Sequence, residues 1–204
     1  MDNKTYLDQI AVKGDNYQKN SLLSPNIIKL IIGAVIALIA IVIVAAVLNA
    51  SNNKPKALAR SLYIRTSMLS SETGPLNIYG RKIKNSELRN YNSQIKSALN
   101  QASTTLSPIL ENINVSTEID EEGATDEDSK AIKAYAAELN ESKLKGLLDR
   151  QYTQKTNLQL TYVLNLCYEL QSLTHNQTLH DALTDITADL SALQKNLNGF
   201  EARQ

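Results

Sequence analysis

Tryptophan is absent from this chain, and phenylalanine, cysteine and histidine are nearly so: one Phe, one Cys and two His in 204 residues. Each scarcity removes a class of answer. Cys167 has no second cysteine with which to form an intramolecular disulfide, and no multi-cysteine metal site is available. It sits in the apolar stretch LTYVLNLCYEL, which predicts a buried, inert thiol. Seven glycines argue against a turn-rich β sandwich or barrel. His175 and His180 are five residues apart across an expected helix start, so they share no face on which to hold a metal. There is no Gly-rich phosphate loop, no G-x-S-x-G, no H-E-x-x-H and no C-x-x-C. The formal net charge is +0, so overall charge names no partner. Five Asn-x-Ser/Thr triplets begin at Asn3, Asn49, Asn114, Asn140 and Asn176. Chance alone gives about that many in a chain so rich in Asn, Ser and Thr, and they carry no argument for glycosylation.

What the chain does have is a long hydrophobic run. Leu30 to Leu48 reads LIIGAVIALIAIVIVAAVL, with thirteen of its nineteen residues Leu, Ile or Val and no polar side chain. A helix of that length spans roughly 28 Å, close to the ~30 Å hydrocarbon thickness of a bilayer. No polar face remains to show to water, which a soluble helix requires. A cleavable signal peptide has a shorter apolar region and a better cleavage site than Val44-Ala45-Ala46, and nothing like 29 residues ahead of it. The run therefore predicts a single transmembrane helix. Lys4, Lys13, Lys19 and Lys29 precede it, and Lys54, Lys56, Arg60 and Arg65 follow. Lys29 abuts the run, which favours a cytoplasmic N-terminus and an extracytoplasmic C-terminal domain. Gly33 and Ala37 form a weak small-xxx-small pair for span-to-span packing.

The expected organisation is a flexible cytoplasmic tail at 1–26, a transmembrane helix at 27–49, a linker at 50–54 and a helical-bundle domain at 55–204. Within that domain Leu58, Leu62, Arg65 and Leu69 share one face of a first helix, which ends before the Gly74-Pro75 break. Leu76–Lys84 reads as a loop or a short extended piece. Asn85 or Ser86 then caps a helix whose apolar residues run from Leu88 through Leu106, with a kink or stop expected near Ser107 because Pro108 follows. Residues 114–128 form an acidic loop. Ile132, Tyr135 and Leu139 begin the next face, the phase slips around Asn140–Ser142, and Leu158–Leu173 is apolar on nearly every side, as in a central helix. In the last helix Leu179, Leu183, Ile186, Leu190, Leu193, Leu197 and Phe200 alternate spacings of four and three, a seam of coiled-coil type. Thr178-x-x-Asp181 resembles its capping box. The seam is expected inside the bundle, with a homodimer contact as the other use. The fold class is thus all-α: one N-terminal transmembrane helix followed by an antiparallel four- or five-helix bundle.

Charge is segregated along the chain. Lys54 to Lys96 holds nine basic and two acidic residues, whereas Glu111 to Asp128 holds eight acidic and none basic. The plain reading is two solvated faces of opposite sign. The sharper readings are that Arg81, Lys82 and Lys84 contact a partner, anionic lipid headgroups or a wall polymer, and that the loop carrying Asp120, Glu121, Glu122, Asp126 and Asp128 weakly collects divalent cations, although its spacing does not fit a calcium loop. Nucleic acid is disfavoured, because the basic residues are not interleaved with stacking aromatics.

Every regular feature builds helix faces and none builds a reactive site. The expectation is a membrane-anchored, non-catalytic envelope protein, without cofactor or resident metal, that presents a helical bundle to a protein partner beside the bilayer. The alternative is a small-ligand sensor bundle with a cavity near Tyr135, Tyr162 and Tyr168. A second alternative is an accessory subunit or an enzyme whose site follows no familiar motif.

Overall fold

The computed structural model describes residues 53–119 and 127–201, all within the compact unit Ala50–Gln204. The expected tail, the apolar run 30–48 and the acidic residues 120–126 lie outside the described residues. Among the described residues no helix is long and apolar enough to cross a membrane.

The described residues are all-helical, with no strand. Helix α1 covers 53–70, α2 Pro75–Gly80, α3 Ser86–Asn112, α4 Glu127–Leu144, α5 Leu148–Leu173 and α6 Gln177–Glu201. Helix α6 packs against both α5 and α3. Cross-helix bonds fix the directions. Asn157 donates to Asn198 at 2.5 Å, Gln194 to Thr161 at 2.7 Å and Gln171 to Thr184 at 3.0 Å, so α5 and α6 are antiparallel. Tyr91 near the start of α3 meets Phe200 at the end of α6, edge to face with centroids 5.9 Å apart. Lys54 pairs with Glu169 at 2.9 Å and Arg65 reaches Gln159 at 3.4 Å, so α1 runs antiparallel to the C-terminal part of α5. Lys155 pairs with Glu138 at 2.6 Å, which places α4 against the N-terminal part. Two shorter helices thus share one long side of α5.

The α6 seam forms the centre of the core. Leu179, Leu183, Ile186, Leu190, Leu197 and Phe200 are buried, and Leu193 is half-buried against them. Each fully buried Leu or Phe contributes about 1.5–3 kcal/mol of transfer free energy, so this stripe alone accounts for a large share of cohesion. Facing it are Leu99, Ala102 and Leu106 of α3 and Leu160, Val163, Cys167 and Leu170 of α5, all buried in the same cluster.

Helix ends follow local chemistry. Asn85 caps α3 by accepting from the Leu88 N–H at 3.0 Å. Both α3 and α4 close in Schellman turns. Val115 N–H reaches Leu110 C=O at 2.9 Å with Asn114 at φ 56°, and Leu147 N–H reaches Ser142 C=O at 2.9 Å with Gly146 at φ 72°. Asn and Gly are the residues that tolerate this left-handed backbone.

The structure differs from the sequence reading at five places. Residues 76–80, expected as loop or extended, are helical in α2, started by Pro75 at its first turn. Of the kink or stop expected near Ser107, the stop does not occur in α3. The helix runs through Pro108 to Asn112, because Leu106 and Leu110 on either side are fully buried and outweigh one lost hydrogen bond. Helix α4 already includes Glu127 and Asp128, so the acidic segment is shorter than 114–128. The cap of α6 is Asn176, which accepts from Leu179 N–H at 2.9 Å, while Asp181 accepts instead from Gln177 at 2.7 Å. Finally α5 is not enclosed on all sides: Leu158 is 67% exposed, and Tyr162 and Tyr168 are about half exposed.

Candidate functional site

A cleft of about 700 Å³ lies between the end of α1, α2 and the first half of α3. Its shape begins at Gly74. A Cβ there would overlap the carbonyl oxygens of Met68 and Leu69, so only glycine lets the chain fold back against the end of α1. Pro75 then starts α2, and Asn77 bridges backwards, donating to the Glu72 carbonyl at 2.8 Å and to its carboxylate at 3.0 Å. At the far end of α2, Gly80 lies flat on Asn92 of α3, where a Cβ would overlap the amide. Asn92 is buried and accepts from the Tyr152 hydroxyl of α5. Asp149, at the start of α5, accepts from the Lys84 N–H at 3.1 Å and the Asn85 N–H at 2.8 Å and so holds the turn into α3. Three helices therefore fix the cleft walls.

The walls carry Arg81, Arg89 and Lys96 against one carboxylate, Glu72. Lys96 approaches Glu72 at 3.4 Å and Arg81 approaches it at 3.7 Å. Both cations also donate to the Asn77 side-chain oxygen, at 2.9 and 3.3 Å. Arg89 donates to the Ile83 carbonyl at 3.4 Å and, among the described residues, pairs with no carboxylate. Glu72 is 81% exposed, so its two ion pairs are worth little and open readily to a competing anion. Hydroxyls on the walls are bonded back to carbonyls one turn earlier in the chain. Ser70 donates to Thr66 C=O at 2.7 Å, Ser71 to Met68 C=O at 3.2 Å and Ser93 to Arg89 C=O at 3.1 Å. No histidine, cysteine or aspartate lines the cleft to activate them. The arrangement holds negative charge and amide or hydroxyl groups, and it carries no nucleophile–base pair.

The residues singled out from the sequence are dispersed. Arg81 is on the cleft, whereas Lys82 lies over the Tyr79 ring at 5.0 Å and Lys84 lies with Lys143 and Arg150 beyond α2. Asp120, Glu121, Glu122 and Asp126 fall outside the described residues. Asp128 lies in the first turn of α4. It is buried within α4 and accepts from Arg65 at 2.5 Å. The Arg65 guanidinium also stacks 3.7 Å from the Tyr162 ring centroid. Among the described residues no cluster of His, Cys, Asp or Glu is arranged to hold a metal ion. The three tyrosines Tyr135, Tyr162 and Tyr168 are not equally placed. Tyr135 is buried and shares a 2.8 Å hydrogen bond with Thr156, while Tyr162 and Tyr168 lie on the surface. Burial raises the Tyr135 and Tyr152 hydroxyls above their ordinary value and pushes the Cys167 thiol up to about 12. All three are core groups and not reactive ones.

Glu72, Arg89 and Lys96 had no signal in the sequence. Their meeting depends on the fold-back at Gly74, which brings residues 24 apart to 3.4 Å. Compared with protein-family models, curated proteins and solved structures, the chain matches none.

Proposed function

We propose that this chain is a membrane-anchored, non-catalytic binding protein, whose bundle receives an acidic segment of a protein partner in the cleft between α1, α2 and α3. The anchor is the apolar run 30–48, with the N-terminus cytoplasmic and the bundle extracytoplasmic. The observation that carries the reading is the convergence of Arg81, Arg89 and Lys96 on one concave wall with a single, exposed carboxylate to offset them. Arginine forks and lysine amines bind carboxylates by charge-assisted hydrogen bonds. Small-molecule sites are mostly apolar and enclosed, whereas this wall is amide, hydroxyl and cation, which suits an extended polar chain. A small polyanion is the second reading, favoured by a volume inside the ~300–1,000 Å³ range of ligand pockets.

The test is binding of an oligoglutamate peptide to the full-length protein in detergent, with an oligolysine peptide as control. The glutamate peptide binds selectively, salt weakens it, and the paired change Arg89→Glu with Lys96→Glu lowers affinity at least about tenfold, the loss of two charge-assisted contacts. Equal binding of both peptides, or indifference to the paired change, rejects the proposal. Competition by a free tricarboxylate as strong as by the peptide selects the second reading.

A further inference from the structure

The turn into α3 and the turn between α4 and α5 are far apart in sequence but meet in space. Asp149, at the start of α5, accepts from the Lys84 and Asn85 N–H groups, which latches one turn to the other. Between them lies a concavity of about 360 Å³. Lys82 and Lys84 line it from one turn, and Lys143 and Arg150 line it from either side of the other. Four cations thus stand against one carboxylate, which is already committed to the two backbone N–H groups. Among the described residues, none of the four cations is in an ion pair. Lys145, on the same α4–α5 turn, shows the contrast. It pairs with Glu141 at 2.6 Å, which draws the Glu141 pKa below its ordinary value. Like charges gathered around one hollow repel one another, and an anion in the hollow relieves that repulsion. The start of α5 adds to the effect, because its cap position, Leu147, offers no side-chain oxygen to the first-turn N–H groups.

We infer that this concavity binds a compact, soluble polyanion bearing two or more linked phosphate groups, held between Lys82 and Lys84 on one side and Lys143 and Arg150 on the other. Size favours a small ligand, since the volume lies near the lower end of the ~300–1,000 Å³ range of ligand pockets. Charge favours linked phosphates. Two such groups carry about three negative charges near neutral pH, which balances four cations with one carboxylate among them, whereas a single carboxylate does not. Lysine amines and an arginine fork are the donors that phosphate oxygens accept from. Placement favours a ligand drawn from solution. Lys54, which follows the apolar run in sequence, pairs with Glu169 at 2.9 Å. Glu169 stands roughly 30 Å along α5 from Leu148, at the other end of the helix. The inference does not rest on the cleft, whose cations Arg81, Arg89 and Lys96 it does not use.

The test is calorimetric titration of the full-length protein in a neutral detergent with sodium tripolyphosphate, against sodium sulfate at equal ionic strength. The cleft is silenced throughout by Arg89→Glu with Lys96→Glu, so that its cations take no part. One tripolyphosphate binds per chain, at least about tenfold tighter than sulfate, and Lys143→Gln with Arg150→Gln weakens it at least about tenfold, the loss of two charge-assisted contacts. Lys130→Gln with Lys195→Gln removes the same charge from other exposed positions and changes affinity less than about twofold, because screening confines the effect of distant charges. All four of these side chains are exposed, so helical circular dichroism stays unchanged. Affinity no better than that of sulfate, indifference to the Lys143 and Arg150 change, or an equal loss in the control pair overturns the inference. Phosphatidylglycerol added to the micelles leaves tripolyphosphate binding intact. Displacement by that lipid would assign the concavity to headgroups and overturn the inference as well.

Discussion

The α6 seam and the junction of α1 with α4 are both buried, but different forces hold them. Along the seam, six apolar side chains are buried against α3 and α5, and no one contact decides the packing. At the junction the side chains are Arg65 and Asp128, 2.5 Å apart with 6% and 12% of their side chains exposed, supported by Gln159 and the Tyr162 ring. Apolar packing is non-directional, so a seam tolerates exchange of one aliphatic residue for another of similar volume. A buried ion pair is directional and repays its desolvation only when both partners are present. The seam supplies cohesion, and the junction specifies which helix lies where on α5. The cleft belongs with the junction, since its floor is the end of α1 and its back wall leans on Asn92 and Tyr152.

The most severe way to break this contrast is Arg65→Ala. It removes the guanidinium from a buried carboxylate, and we expect a loss of about 3–5 kcal/mol in urea unfolding. The double change Arg65→Met with Asp128→Leu should recover most of that loss, as exchange of a buried pair for apolar volume commonly does. A cost below about 1 kcal/mol for the single change, typical of exposed pairs, would erase the distinction between junction and seam. Next comes Leu190→Ala at the middle of the seam, expected to cost about 2–5 kcal/mol as a cavity. Leu190→Met should cost less than about 1.5 kcal/mol. If both were equally harmful, the seam would be as geometrically exacting as the junction. Smaller still is Gly80→Ala, which pushes a methyl into the Asn92 amide and should cost about 1–3 kcal/mol. Its effect on peptide binding should exceed that of Leu190→Met, because the displaced residue is a wall of the cleft.

The mildest probe is alkaline pH. Cys167, Tyr135 and Tyr152 all have folded-state pKa values raised by burial above 9.0, 10.0 and 10.0 respectively. The folded state therefore holds these protons more tightly than the unfolded state. Their stabilisation is fully present below about pH 9 and falls as pH rises above it, for Cys167 up to about 12. The urea midpoint should be flat from pH 7 to about 9 and decline beyond, and Cys167→Ala should delay the onset of that decline toward the tyrosine range. A midpoint independent of pH across this window would show that these groups are not buried as described.

The contrast also explains what the sequence disclosed. The seam was legible because its periodicity is local, with every residue three or four from the next. Arg65 was legible as a position, since it falls on the same helical face as Leu62 and Leu69, but its partner Asp128 was not, being 63 residues away behind an acidic segment that read as solvated loop. Helix α2 was missed because six residues are too few to show a period. The turn chemistry at Asn114 and Gly146 is local, yet it emerges only when the left-handed backbone is seen. The cleft was invisible for a similar reason. Arg81 was singled out with Lys82 and Lys84 as one basic triplet, but the fold sends it to the cleft and places the other two beside Lys143 and Arg150.

The central claim is that the cationic cleft receives an acidic segment of a partner protein. Its most direct test is a photo-crosslinking amino acid at Ser97, an exposed position on the cleft wall, in the full-length protein in native membranes. The account predicts one dominant adduct, mapped by mass spectrometry to an acidic stretch of the captured protein and lost when Arg89 and Lys96 are both changed to Glu. An adduct that maps to a neutral or basic stretch, or one that persists with those charges reversed, would contradict it.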